Sequence, residues 1–190
     1  MSRLQFHTNT AAVCGDLQPR DSVNYPISYR YYGAFCGADQ AALDAEHLSA
    51  APLYYGLWAF RQVPTGRFAD VNLADTDLDR LRAYAVQGLA GELTIVLINV
   101  QDPASATATS DTVALTLPLA YRSGRAVTLA SSSPGGLGST DASGISLGGQ
   151  TISTTGIASD APAGTAASVS GKSSTITVAP GTAQLVTFTE

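Results

Sequence analysis

From about residue 66 onward, apolar and polar positions alternate in short runs broken by Gly, Pro, Asp and Ser, a texture that predicts strands. The runs are "RFADVNL", "RAYAVQG", "ELTIVLINV", "DTVALTLP", "RAVTLAS", "GISLGGQTIST", "STITVAP" and "AQLVTF". In the fourth, Val113, Leu115 and Leu117 face one way while Thr112, Ala114 and Thr116 face the other, so one face is buried and one is wet. "TIVLIN" is apolar throughout and reads as a central strand. About eight strands at this spacing, with no helical period among them, make the fold mainly β: an antiparallel β-sandwich. "SSSPGGLGSTDASG" and "GIASDAPAGTAAS" read as long loops of small residues.

The chain before residue 66 has a different pattern. A short apolar start (Leu4, Phe6) and a Tyr cluster (Tyr25, Tyr29, Tyr31, Tyr32) sit in irregular polar sequence, followed by two helical patterns, "ADQAALDAEHLSA" and "PLYYGLWAFRQV". In the second, Leu53, Leu57, Phe60 and Arg61 share one helical face and Tyr54 and Trp58 the adjacent one. Pro52 suits the first turn, and Val63-Pro64-Thr65-Gly66 stops the helix. A helix apolar on most sides needs partners on most sides. The expected division is an irregular and helical segment over 1–65 and a sandwich over 66–190.

A chain of 190 residues, 45% hydrophobic and 13% charged, is enough for one packed domain with an appendage. Its net charge of -5 leaves no basic face, so no nucleic-acid partner is expected. There is no run of eighteen apolar residues, and Met1 to Phe6 does not lead into the apolar core of a signal peptide. The expectation is therefore no membrane partner and no signal peptide in this chain. Cys14 and Cys36 match no zinc spacing. They read either as buried thiols or as a disulfide that would stabilise by about 3 kcal/mol.

Candidate chemistry is sparse. "DTDLD" (Asp75, Asp77, Asp79) opens like a calcium loop, but Arg80 and Val86 occupy the Gly and Glu positions, and an acidic turn explains it. "SGKSS" at 170–174 lacks the earlier Gly of a phosphate loop and reads as a hairpin turn. His47, beside Glu46, reads as a surface residue. His7 ends a short apolar run, as at the carboxyl end of a barrel strand, or is structural. The three Glu (Glu46, Glu92, Glu190) are not brought together as a glycosidase pair requires. No catalytic residue, metal site or cofactor is expected.

The order "FH", "NYPI", "PLYYGLWAFRQV" closing on "GRF", then "LRAYAV", "GELTIVLINV", "ISLGGQTI" and "ITVAPGTAQLVTF" resembles the tail of glycoside hydrolase family 79, the β-glucuronidases and relatives of heparanase. The resemblance covers nearly the whole chain. It implies that 1–65 holds the last strand, loop and helix of a catalytic (β/α)8 barrel, and that 66–190 is the sandwich following it. The family's two catalytic Glu match nothing here. His7 and Tyr25 stand near the family's pocket residues and are the substrate-binding candidates. The resemblance also implies a secreted parent enzyme acting on glucuronide-containing glycans, a barrel partner in cis or in trans, and a sandwich that lacks a strand. The isolated chain would then be a non-catalytic accessory portion. The competing reading is a stand-alone carbohydrate-binding or protein-interaction module. That reading needs exposed aromatics on a strand face, and past residue 70 only Tyr84, Tyr121 and Phe188 are available.

Overall fold

The computed structural model describes residues 34–37, 39–72, 79–138, 144–153 and 155–190. Contacts divide the chain into two compact units, Met1–Leu57 with Ile152–Ser159, and Trp58–Thr151 with Asp160–Glu190.

In the first unit, β1 (Phe35–Gly37) pairs antiparallel with β2 (Leu48–Ala50), and the short helix α1 (Gln40–Asp44) lies between them in sequence. The Asp39 carboxylate caps α1 by accepting from the Ala42 N–H at 2.7 Å. The predicted helix over "ADQAALDAEHLSA" stops early. Glu46 takes a φ of 60°, and the His47 N–H donates back to the Ala42 carbonyl at 2.8 Å, turning the chain into β2. His47 thus lies exposed in that turn and not on a helix. Cys36 is disulfide-bonded. The other cysteine of the chain, Cys14, lies outside the described residues.

Helix α2 (Pro52–Arg61) matches its predicted span within two residues, and the division between the units falls inside it. On the first unit's side, the Tyr55 hydroxyl accepts the Ile152 N–H at 2.8 Å. Phe35 and Tyr54 stack with ring centroids 5.2 Å apart.

The second unit is the antiparallel β-sandwich expected from sequence. Its strands are β3 (Gly66–Ala69), β4 (Leu81–Gly88), β5 (Leu93–Asn99), β6 (Asp111–Thr116), β7 (Ser123–Ser131), β8 (Ile145–Leu147), β9 (Thr165–Ala167), β10 (Val169–Ser170), β11 (Ser173–Val178) and β12 (Thr182–Thr189). The larger sheet has seven strands in the order β3-β4-β5-β12-β7-β8, with β9 also paired to β7. The smaller has three, β10-β11-β6. β9 arises where a loop was expected, because the chain there pairs with Gly124–Ala126. The short β10, just past that loop, pairs with β11.

One core fills the space between the sheets. Leu93, Ile95 and Leu97 of β5 and Val186 and Phe188 of β12 meet Ile176 and Val178 of β11, with Val113 and Leu115 of β6 packed against them. The second face of β5 is also covered: Val96 joins Val127, Leu129, Leu147 and Leu185 under Trp58, Ala59 and Val63. Burial on both faces is why the centre of "TIVLIN", residues 95–98, is an unbroken apolar run; Thr94 and Asn99 at its ends are buried polar residues. By contrast β6 and β11 alternate strictly, Thr112, Ala114 and Thr116 being exposed opposite Thr177, Thr175 and Ser173. "SGKSS" is the hairpin turn between β10 and β11. Gly171 (φ 58°) supplies the positive φ of its first central position.

Candidate interaction surfaces and an open cleft

The α2-covered face of the larger sheet is built from cross-strand rows. Tyr84, Val96, Leu185 and Val127 lie side by side across β4, β5, β12 and β7. The neighbouring row on the same face is Phe68, Val86, Thr94, Thr187 and Arg125. Thr94 is buried, and its hydroxyl shares a 2.9 Å hydrogen bond with that of Thr187, which lets two polar groups sit within an apolar face. Helix α2 covers the Leu185 and Val127 ends, but the face runs uncovered towards the β3–β4 edge, where Phe68 is 80% and Tyr84 50% exposed. On α2 itself, Phe60 is 60% exposed, one helical turn from the half-buried Leu57.

A second feature lies on the opposite side of the larger sheet. Strand β6 is the edge of the three-stranded sheet and pairs along one side with β11. Along its other side a cleft of about 900 Å³ opens between the sheets. Its walls are mainly apolar: Ala69, Ala83 and Ala85 look into it from β3 and β4, and Val113 and Leu115 from β6. Among the described residues, its charged lining residues are Asp70, Arg80 and Asp111. Arg80 Nη2 stands 3.7 Å from Asp111 Oδ1, and its Nη1 donates to the Thr109 hydroxyl at 3.4 Å. Asp111 Oδ2 is out of contact with solvent and accepts no hydrogen bond.

The sequence candidates fare unevenly. His7 and Tyr25 lie outside the described residues, as do Asp75 and Asp77. Of the sandwich aromatics, Tyr121 and Phe188 are buried with ring centroids 5.9 Å apart, leaving Tyr84 outside. Phe68 was hidden in a run read only as a strand. Burial pushes the Tyr121 phenol above its ordinary value, while the Gln87 side chain acts the other way and the Glu190 carboxylate adds to the rise. The Tyr55 phenol is likewise raised by burial, opposed by its hydrogen bond from Ile152. Among the described residues, no group of three His, Cys, Asp or Glu is placed to hold a metal ion, and no helix is long and apolar enough to cross a membrane.

The fold so described is glycoside-hydrolase-like. It is similar to the crystal structure of a 4-O-α-L-rhamnosyl-β-D-glucuronidase from Fusarium oxysporum 12S, with 23% identity over 73% of this chain and 30% of that one, at a TM-score of 0.56. It is also similar to the GH51 arabinofuranosidase from Xanthomonas axonopodis pv. citri, with 14% identity over 84% of this chain and 29% of that one, at a TM-score of 0.52. The chain thus spans less than a third of either structure's length. No protein-family model matches the chain, and neither does any curated protein.

Proposed function

We propose that this chain is the non-catalytic, C-terminal portion of a family 79-like glycoside hydrolase of β-glucuronidase type, and that its sandwich buttresses the catalytic barrel. The observation that carries the reading is the half-covered sheet face, on which the row Tyr84, Val96, Leu185 and Val127 is buried under α2 at one end and open at the other. An apolar face of this kind is stable when an adjoining domain covers the remainder. The order of sequence motifs, and a fold similar to that of the rhamnosyl-glucuronidase, support a barrel of family 79 type as that domain. The barrel acts in cis or in trans, the parent enzyme is secreted, and its substrates are glucuronide-containing glycans. His7 and Tyr25 sit on the substrate side of the barrel end held in residues 1–65, and 66–190 is the sandwich domain. A strand from elsewhere in the enzyme fills the cleft beside β6.

The test is to read the genomic sequence upstream of Met1 and to assay the full reading frame on an aryl β-glucuronide and an aryl arabinofuranoside. Glucuronide cleavage, abolished by Glu→Gln at either of two barrel glutamates, is the expected result. Cleavage of the arabinofuranoside alone would move the parent to another glycosidase class, and a reading frame with no barrel, together with no separately encoded barrel that binds this chain, would remove the proposal.

The exposed pair Phe68 and Tyr84 favours a second reading, a stand-alone module that stacks sugars on this face. It predicts that oligosaccharides bind the isolated chain and that Tyr84→Ala abolishes binding.

A further inference from the structure

The inner faces of the two sheets are matched in size except at the cleft. Between β5, β12 and the smaller sheet large side chains meet large ones, Leu97 and Phe188 packing with Ile176 and Val178. One strand further out the inner side chains shrink. Ile95 and Leu97 of β5 stand beside Ala85 and Ala83 of β4, and Ala85 stands beside Ala69 of β3. Packed sheets lie about 10 Å apart, so a row of alanines on one sheet leaves a hollow unless the facing side chains are large. This hollow is the cleft of about 900 Å³, and β6 borders it with an edge to which no strand pairs among the described residues. Backbone N–H and C=O groups along such an edge favour a strand over a compact ligand as the occupant. The outer face of the same small sheet is polar and small, with Thr112 and Thr116 exposed beside Thr177 and Ser173.

We propose that the strand filling this cleft carries large apolar side chains, of leucine or aromatic size, at the two alternate positions facing Ala83 and Ala85, with small polar side chains such as Thr between them. This rests on the reading that a strand from elsewhere in the enzyme fills the cleft. The inward side chains of that strand continue the row set by Val113 and Leu115 on β6, and its outward ones continue the Thr face. A one-residue slip would turn the large side chains to water and leave the hollow empty, so the alanines select register as well as size. The occupant is a free segment and not a second copy's β6. That strand is already held by β11 in its own sandwich, so it can meet this edge without entering between the sheets.

The probe is the peptide Ser-Thr-Phe-Thr-Phe-Thr-Ser, whose residue order is the same in both directions and so suits a parallel or an antiparallel partner. It is titrated into the full chain beside two controls, Ser-Thr-Val-Thr-Val-Thr-Ser and Ser-Thr-Phe-Phe-Thr-Thr-Ser. The first peptide should bind at least about tenfold more tightly than either control. Ala83→Leu fills the hollow from the sheet side and should erase the advantage over valine, with continued binding of the valine peptide as proof of folding. Ala83→Gly deepens the hollow and should widen the advantage, which keeps the test decisive if the leucine variant folds poorly. Equal binding of the phenylalanine and valine peptides, or an advantage untouched by either substitution, would overturn the size selection and leave the filled cleft standing. Equal binding of the peptide with adjacent phenylalanines would mean an apolar ligand site with no strand, and both would fall, as they would if no peptide bound.

Discussion

The Asn99 side-chain amide donates to the Val178 carbonyl at 3.2 Å, tying the end of β5 in the larger sheet to the end of β11 in the smaller. The same amide donates to the Thr109 carbonyl at 3.1 Å, and its oxygen accepts the backbone and side-chain N–H groups of Gln101, each at 3.1 Å. A fully buried carboxamide with every group engaged is a specific clamp between the two sheets. Asn99→Ala leaves the Val178 carbonyl without that donor and is expected to cost about 2–4 kcal/mol. Urea unfolding measures it. A loss below about 0.5 kcal/mol would mean that water takes over these bonds.

The strands that were legible in the sequence are those with a physical reason for their pattern. β6 alternates because Thr112 and Thr116 are exposed while Val113 and Leu115 line the interior, and residues 95–98 of β5 form an unbroken apolar run because α2 packs on its second face. β9 was not legible, since Thr165-Ala166-Ala167 carries no alternation and becomes a strand only by pairing with β7. The overextended helix failed at Glu46. Nothing in the local periodicity forbids helix there, and the pairing of Leu48–Ala50 with Phe35–Gly37 overrides it. The cleft was not legible in the sequence; the resemblance implied only that the sandwich lacks a strand. Asp111 was not singled out, because a closed-off carboxylate oxygen is a property of packing and not of periodicity.

Phe188 is fully buried between the sheets, and Gly124 on β7 is its direct neighbour on β12. A Cβ at Gly124 would lie 3.1 Å from the Phe188 ring and 2.9 Å from the Ala167 carbonyl oxygen. Phe188→Ala should therefore cost about 3–5 kcal/mol, and Gly124→Ala about 1–3 kcal/mol through overpacking. Because Phe188 accounts for part of the crowding, Gly124→Ala should cost less in the Phe188→Ala background. Additive losses in a double-mutant cycle would show that Ala167 alone sets the limit.

Tyr55 and Tyr121 both hold their protons more tightly in the fold than the ordinary phenol value of 10.0, mainly through burial. A raised folded pKa means that the neutral phenol is the form the fold favours. Its contribution is complete below about pH 10 and is lost as pH rises through the raised value. The urea midpoint should thus fall above pH 10, and Tyr121→Phe should make that fall shallower. An unchanged alkaline slope in the Phe variant would show that Tyr121 ionises as freely folded as unfolded.

The uncovered end of the α2 face has a consequence in solution. Phe68 and Tyr84 sit on neighbouring strands two residues out of register, within reach of each other diagonally, at the sheet edge formed by the four-residue β3. An exposed apolar pair beside an unpaired strand edge promotes association. The isolated chain should therefore self-associate with rising concentration, read by sedimentation velocity. Phe68→Thr combined with Tyr84→Thr should weaken that association while changing stability by no more than about 0.5 kcal/mol per site, since both side chains are largely in water and Thr suits a strand. If the pair serves instead to cover a core of its own, the double variant will lose several times that stability. In that case its association would rise, because their row neighbours Val86 and Val96 would become exposed.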